Sequence, residues 1–269
     1  MDRSVKLSLE VRLGKLKLKN PVMVASGTFG TEYGELIDIN KLGAYIAKTI
    51  TLDAHIGNSP PRVCETPSGM LNSIGLENRG LDDFIKNKIP GLKRLKIPLI
   101  ASIAGDDAVE FKELARALGK VKKIAALEIN LSCPNVKHSR RDLCFAQDEE
   151  ETYGIIEAVR KSTALTVIAK LSPNVTDIKR IAKAAERAGA DAVSLINTLV
   201  GMAVDIDTQR PVLGNVTGGL SGPAIKPIAL RMVREAYNST KIPVIGIGGI
   251  MDYKDAVEVI LCGASAVQV

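Results

Sequence analysis

Tryptophan is absent from the 269-residue sequence, and only five tyrosines and four phenylalanines are present. Proteins that bind single-stranded nucleic acids stack bases on several aromatic side chains, so this composition argues against such a function. The four cysteines, at positions 64, 133, 144 and 262, form no C-x-x-C pair. We therefore expect no zinc or iron–sulfur site built from this chain alone, and no metal ligands are predicted.

Long apolar segments and blocks of like charge are also missing. No stretch approaches the roughly 18 consecutive apolar residues of a transmembrane helix, and the polar start Met1–Lys6 lacks the apolar core of a signal peptide. These features predict a cytoplasmic protein. The net charge is +6, but the basic residues lie in short scattered groups such as Lys15–Lys19 and Lys93–Lys96. We interpret these groups as solvated surface rather than as a nucleic-acid site.

Short apolar runs, four to seven residues long, recur along the chain. Most are continuously apolar, which is typical of parallel strands that are buried on both faces. We predict strands at Val22–Ala25, Ala44–Ala47, Pro98–Ile103, Ala125–Leu131, Thr166–Leu171, Ala192–Ile196, Pro243–Ile247 and Ala264–Val269.

Amphipathic segments separate these runs. Helices are predicted at Ala108–Leu118 and Thr152–Lys161, and two further helices are indicated by apolar stripes at helical spacing. The first stripe is Ile178, Ile181, Ala182 and Ala185; the second is Tyr253, Ala256, Val257, Ile260 and Leu261, with Asp252 as N-cap and Gly263 after the helix.

Eight strands with intervening helices in about 250 residues predict a single (β/α)8 TIM barrel of parallel strands over residues 1–269. The sequence reaches the eighth strand without the last helix, so we expect a barrel that is incomplete at its C-terminus. A doubly wound open sheet is the alternative, although its G-x-G-x-x-G fingerprint follows no early strand.

Polar residues stand where the predicted strands end, which is where TIM barrels carry their active sites. Lys48 comes at the end of one apolar strand and Lys170 lies within another, and a lysine is costly at either place unless it faces a polar site. Cys133 follows the fourth strand between Asn130 and Asn135. Cysteine is often only a small buried hydrophobe, but these polar neighbours favour a chemical role. The segment 71–78 is either a structured binding loop or a surface excursion.

Two glycine-rich segments lie in the last third of the chain, at Gly218–Gly222 and Gly246–Gly249. Glycines after the seventh strand of a barrel expose backbone N–H groups that hold a phosphate. Carboxylate and histidine side chains are missing from most strand ends. The pattern therefore favours an organic cofactor with a phosphate group over a metal-dependent hydrolase.

In this order and at these spacings, the motifs resemble the class 1 dihydroorotate dehydrogenase family, most closely its NAD-linked 1B subclass. The resemblance extends from about residue 8 to the end. It is carried by the segments 25–30, 48–49, 72–78, 129–136, 170–173, 197–198, 219–222 and 246–249.

The resemblance implies an FMN-binding enzyme that oxidises dihydroorotate to orotate in pyrimidine (UMP) synthesis. Cys133 matches the base that removes the C5 proton, and FMN accepts the hydride from C6. Lys48 favours the thiolate of this cysteine, and Lys170 offsets negative charge on the reduced flavin.

Further residues match the ligand contacts of that family. Those implied for the substrate are Lys48, Asn72, Ser73, Ile74, Gly75, Leu76, Asn130, Asn135, Asn197 and Thr198. Those implied for FMN are Ser26, Gly27, Lys48, Thr49, Ser102, Asn130, Lys170, Ile196, Gly222, Gly248 and Gly249. The family further implies a homodimer within a heterotetramer, in which a partner subunit with FAD and a 2Fe–2S cluster passes electrons to NAD. The residues leave open whether NAD or fumarate is the final acceptor.

The sequence departs from the family pattern in two places. A Gly-Gly loop is expected after Cys133, whereas the chain reads Lys137–Cys144 without glycine, and the Gly-Thr pair expected after the eighth strand is not in the sequence. Two other interpretations remain open. One is a tRNA-dihydrouridine synthase, another FMN-binding barrel; the other is a barrel scaffold without flavin.

Overall fold

The computed structural model describes residues 8–27, 29–132 and 144–269. In this part of the chain, eight parallel strands form one sheet, and each lies within or beside the predicted run. They are β1 (Val22–Met23), β2 (Tyr45–Ile46), β3 (Leu99–Ile103), β4 (Ile124–Asn130), β5 (Thr166–Lys170), β6 (Ala192–Leu195), β7 (Val244–Ile247) and β8 (Ala266–Gln268).

The order of the strands confirms a (β/α)8 barrel. Strands β2 to β8 are hydrogen-bonded in sequence order, and β8 pairs with β1. A parallel bridge between Met23 and Ala44 then joins β1 to the start of β2. The sheet therefore closes on itself, and the doubly wound open sheet is wrong.

The strands are buried on both faces, as their continuous apolar character predicts. On β5, Val167 and Ala169 pack against the surrounding helices, whereas Ile168 lies in the barrel interior. An N-terminal hairpin of strands Val11–Leu13 and Leu16–Leu18 contributes its leucines to the same interior cluster. The hairpin therefore closes the amino-terminal end of the barrel and leaves ligand access to the carboxyl end.

The basic groups noted in the sequence are surface residues. Lys15, Lys17 and Lys19 are exposed and alternate with the buried Leu16 and Leu18 of the hairpin. The second group, Lys93–Lys96, is likewise exposed at each basic position. Their interpretation as solvated surface rather than as a nucleic-acid site stays a prediction.

Helices fill the connections between the strands. They are α1 (Gly80–Asp83), α2 (Ile89–Leu92), α3 (Ala108–Leu118), α4 (Glu149–Arg160), α5 (Ile178–Arg187), α6 (Lys226–Ser239) and α7 (Tyr253–Leu261); a π-helical turn, Phe84–Lys88, joins α1 to α2, and 3-10 turns lie at Thr31–Glu35, Ile39–Lys41, Phe145–Gln147 and Pro223–Ile225. Aspartate side chains accept backbone N–H bonds at the N-caps of α3, α4, α5 and α7. None of the described helices is long and apolar enough to cross a membrane.

The predicted apolar stripes had different outcomes. All four residues of the α5 stripe are buried. The helix indicated by the second stripe is confirmed as α7, but the stripe is not a buried face, since Tyr253 and Leu261 are about three-quarters exposed, at 74% and 75%. Val259 is the buried residue of this helix. Helical spacing shows which residues share a face, but not which face a neighbouring element covers. The Asp252 cap and the positive φ of Gly263 (111°) agree with the prediction.

A second sheet lies at the carboxyl end of the barrel. Its four antiparallel strands, in spatial order, are Leu199–Gly201, Gly218–Ser221, Gly69–Asn72 and Val63–Thr66. A short hairpin of Val204–Asp205 and Arg210–Pro211 follows the first of them. This sheet joins the connection after β2 to the connection after β6, which brings residues far apart in sequence to one place.

Candidate active site at the carboxyl end of the barrel

The barrel interior changes from apolar to polar towards its carboxyl end. Because side chains alternate along a strand, residues two positions apart face the same side. Two positions beyond the interior residues Ile100, Ala126, Ile168, Ala192 and Ala266, the same face carries a polar side chain. These buried polar residues are Ser102, Glu128, Lys170, Ser194 and Gln268.

Lys170 is held in this layer by long contacts. Its side chain is only 8% exposed. The Nζ atom lies 3.4 Å from Ser26 Oγ and 3.8 Å from Glu128 Oε1. The second distance is too long for a hydrogen bond. A buried ammonium group has three N–H donors, so Lys170 retains donor capacity towards a ligand.

Three residues form a hydrogen-bonded chain beside Lys170. Asn130 is the register neighbour of Lys170, and its Oδ1 atom accepts a bond from Ser132 Oγ at 3.1 Å. Ser132 Oγ in turn accepts from Asn197 Nδ2 at 2.9 Å. Ser132 is fully buried. This series of hydrogen bonds therefore holds the side-chain amides of Asn130 and Asn197, at two strand ends, towards the carboxyl end of the barrel.

The antiparallel sheet brings Asn72 and Thr198 together around Gly219. Asn72 Nδ2 donates to the carbonyl of Gly219 at 3.4 Å. A Cβ atom on Gly219 would overlap the Thr198 side chain. The Thr198 carbonyl accepts from Asn174 Nδ2 at 3.0 Å. These contacts connect the predicted substrate residues of two different βα connections.

The segment after Asn72 is a packed loop, and the interpretation as a surface excursion is wrong. Ser73 is fully buried, and its Oγ atom accepts from Asn58 Nδ2 at 3.0 Å. Asn58 N–H donates to the Ile74 carbonyl at 3.0 Å. Gly75 has φ of +75°, and a Cβ atom there would lie 2.7 Å from Asn58. Leu76 is also buried and has φ of +55°.

The end of β2 places the other lysine at the same opening. Thr49 and Ser102 are buried and share a hydrogen bond of 2.8 Å between their hydroxyl groups. Lys48 stands between the buried Ala47 and Thr49 but is itself exposed. It lies two positions beyond Ile46, an interior residue. Its side chain therefore leaves the barrel at the carboxyl end.

Glycines after β7 form a cradle of the kind that holds an anion. Gly248 and Gly249 have φ of +117° and +72°, and Gly222 has φ of +99°. Among the described residues, the N–H groups of Gly248 and Gly249 donate no hydrogen bond. Ile196 adjoins them, because a Cβ atom on Gly248 would lie 3.4 Å from its Cγ1 atom. Adjacent free N–H groups with positive φ form a nest that suits a phosphate.

Ser26 and Gly27, the remaining predicted cofactor residues, lie in the turn after β1. Ser26 is buried beside Lys170, whereas Gly27 is exposed. A Cβ atom on Gly27 would meet nothing within 4 Å. The backbone at Gly27 is therefore open to a ligand.

Cys133 and Asn135, the predicted base and a predicted substrate contact, lie outside the described residues. The other three cysteines are free thiols. Burial raises the pKa of Cys144, an effect that a hydrogen bond with Ser172 partly opposes. Within the described ranges, no group of three histidine, cysteine or acidic side chains could hold a metal ion.

Sequence reasoning missed several polar residues of this region. Glu128 interrupts an apolar run as Lys170 does, so the same signal could have identified it. Ser132 stands in the same strand-end motif as Asn130 and Cys133. Ser194 and Gln268 resemble ordinary strand residues, and Asn58 lies in a loop with no pattern. Only the closed barrel shows that these side chains face the site.

Comparison with known proteins shows the family of the chain that carries this site. The profile of the family described as dihydroorotate dehydrogenase matches residues 8–269. The chain belongs to the dihydroorotate dehydrogenase family.

Sequence similarity to relatives of this family extends over almost the whole chain. A protein of Trichlorobacter lovleyi is 53% identical over 267 residues, covering 98% of this chain and 87% of the relative. A protein of Thermoanaerobacter sp. is 54% identical over 265 residues, with the same coverage. One of Geobacter metallireducens is 52% identical over 263 residues, covering 97% and 86%. All three are named dihydroorotate dehydrogenase B (NAD(+)), catalytic subunit. This chain is therefore an oxidoreductase of the dihydroorotate dehydrogenase family.

Proposed function

We propose that this chain is the FMN-carrying catalytic subunit of an NAD-linked dihydroorotate dehydrogenase, which oxidises dihydroorotate to orotate. The observation that carries the proposal is Lys170, a buried lysine whose two polar contacts, at 3.4 and 3.8 Å, leave donor capacity towards the barrel opening. An electron-accepting ring that gains negative charge on reduction is the kind of ligand that such a lysine stabilises.

The donor set fits FMN. The glycine cradle of Gly222, Gly248 and Gly249 suits the phosphate group, because the N–H groups of Gly248 and Gly249 donate to no described residue and a Cβ atom on Gly249 would lie 2.7 Å from Lys226. Lys170 would face the ring. The remaining FMN contacts in this proposal are Ser26, Gly27, Lys48, Thr49, Ser102, Asn130 and Ile196. FMN, when bound, supplies the acceptor for the hydride that leaves the substrate.

The amides around the opening suit a flat pyrimidine with a carboxylate. Asn130 and Asn197 are oriented through Ser132, and Asn72 meets Thr198 at Gly219. Amide side chains both donate and accept hydrogen bonds, as a ring with alternating N–H and carbonyl groups requires. We assign these four residues, with Lys48, Asn135 and the loop 73–76, to substrate binding.

We assign proton removal to Cys133, which follows Ser132 directly in sequence. The thiolate is the reactive form of cysteine, and a lysine ammonium group nearby favours it. Lys48, at the same end of the barrel, is our candidate for that role. The assignment rests on the family resemblance and on the polar strand end that precedes Cys133.

Electrons leave through a partner in this proposal. The relatives' name specifies a catalytic subunit and NAD, and we infer that a second subunit with FAD and a 2Fe–2S cluster transfers electrons to NAD. We further propose a cytoplasmic homodimer that binds two such partners. Neither NAD nor fumarate should be reduced by the isolated chain with dihydroorotate; reduction of fumarate would instead support a fumarate-linked enzyme.

Anaerobic mixing tests the proposal. FMN-reconstituted protein should lose its flavin absorbance when dihydroorotate is added. Cys133→Ser should retain flavin but be reduced more slowly at neutral pH, and Lys170→Ala should also be reduced more slowly. Protein that binds no flavin, or whose flavin stays oxidised, would refute the function. Unimpaired reduction of the Cys133→Ser variant would refute only the assignment of the base.

A further inference from the structure

Glu128 is a fully buried carboxylate in the middle of the barrel. Its Oε2 atom accepts hydrogen bonds from Gln268 Nε2 at 2.6 Å and from Ser194 Oγ at 3.1 Å. Strands β4 and β8 stand on opposite sides of the barrel, so the bond to Gln268 crosses the interior. Both bonds fix the orientation of the carboxylate.

The other oxygen of Glu128 has no hydrogen-bond donor among the described residues. It faces Lys170, whose Nζ atom is 3.8 Å away. A buried charge is stable only when it is paired or hydrogen-bonded. Within the described ranges, the ion pairs include no other partner for either side chain. The two charges therefore depend on each other.

The separation of 3.8 Å balances the two requirements of this lysine. It is short enough for strong attraction in a medium of low dielectric constant. It is too long for a hydrogen bond, so the N–H groups of Lys170 are not consumed by the carboxylate. Gln268 and Ser194 hold Glu128 back at that distance.

We propose that Glu128 is the positioning counter-ion of Lys170: it holds the ammonium group at the ligand-facing end of the barrel and reduces the positive charge presented there. The identity of the ligand as a flavin rests on the proposed function. The pairing itself does not, because it is a property of the chain without ligand.

A double-mutant cycle in flavin-free protein tests the pairing. Glu128→Gln and Lys170→Met should each lower the urea midpoint of unfolding, since each leaves one buried charge unpaired. The double variant should lose less than the sum of the two single losses. Additive losses would overturn the proposal. If Glu128→Gln does not fold alone, recovery of folding in the double variant supports the pairing, and failure to recover overturns it.

The reduction potential of the bound flavin tests the electrostatic role. Glu128→Gln removes a negative charge and should raise the reduction potential. We expect the equilibrium constant for flavin reduction to increase at least tenfold, which corresponds to about 30 mV for a two-electron couple. Lys170→Met should lower it. Ser194→Ala is the matched control, because it removes a hydrogen bond from the same carboxylate without changing charge, and its shift should be smaller.

A lower or unchanged potential in Glu128→Gln would overturn the electrostatic role, because removal of a carboxylate that reduces the positive charge near the flavin must favour the more negative, reduced form. The two proposals can fail separately. Wild-type protein that binds no flavin refutes the proposed function, while the double-mutant cycle still decides the pairing. Flavin that dihydroorotate reduces, combined with an additive cycle, refutes only the role of Glu128.

Discussion

The same substitution, glycine to alanine, should have opposite effects at two positions of the barrel. Gly246 lies in β7, and a Cβ atom there would overlap Cγ1 of Val259 in α7. Val259 is fully buried and, being β-branched in a helix, has one strongly preferred rotamer. Gly154 lies in the interior of α4, and a Cβ atom there would meet nothing within 4 Å.

The magnitude at Gly246 follows from this overlap. Either α7 moves away from β7 or Val259 leaves its rotamer, and overpacking of this kind costs about 1–3 kcal/mol. The smaller entropy of the unfolded chain offsets about 0.4–1 kcal/mol. We therefore expect Gly246→Ala to lower the free energy of unfolding by about 1–2 kcal/mol. Gly154→Ala should raise it by about 0.5–1 kcal/mol, because alanine is the better helix former.

The assay is thermal and urea unfolding of the flavin-free protein. Each kcal/mol corresponds to roughly 2–4 °C in Tm for a domain near this size. Val259→Ala should destabilise alone by about 2 kcal/mol through the cavity it leaves. Combined with Gly246→Ala it should cost less than the sum, since each change relieves the other. Strictly additive losses, or a Gly246→Ala protein as stable as wild type, would refute the reasoning.

Three further predictions concern side chains at the edge of the barrel. Asp191→Ala should lower the free energy of unfolding by about 1.5–3 kcal/mol in urea, because Arg160 donates to this carboxylate at 2.8 Å; a loss under about 0.5 kcal/mol would contradict this. Lys226 is the main cause of the lowered pKa of Asp255. The stability that this carboxylate contributes is therefore present above the ordinary aspartate pKa of about 4 and is lost as pH falls through the lowered value. Asp255→Asn should show a smaller loss on acidification below pH 4 in unfolding curves, and an unchanged acid limb would contradict the assignment. Burial raises the pKa of Cys144, so iodoacetamide at neutral pH should alkylate it far more slowly in folded than in unfolded protein; equal rates by mass spectrometry would show that it is accessible.

The candidate site was only partly open to prediction. Lys48 and Lys170 are conspicuous because a charged residue at the end of or within a short apolar run is unusual, and Asn130 stands in a dense polar motif. The hydrogen bonds that orient these site residues come from side chains that are distant in sequence, and no local pattern predicts them. Ser132 orients both Asn130 and Asn197, although the two asparagines lie on different strands, because neighbouring strand ends meet only after the sheet forms.

The sequence by itself determined the element order of this protein and favoured a barrel over an open sheet. Continuous apolar runs and capped amphipathic segments are local signals, since strand and helix formation depend on residues within a few positions of each other. Only the tertiary structure decided which strand faces point inward, because closure of the sheet by the Met23–Ala44 bridge sets that choice. Closure is what places the carboxylate of Glu128 between Gln268 and Lys170.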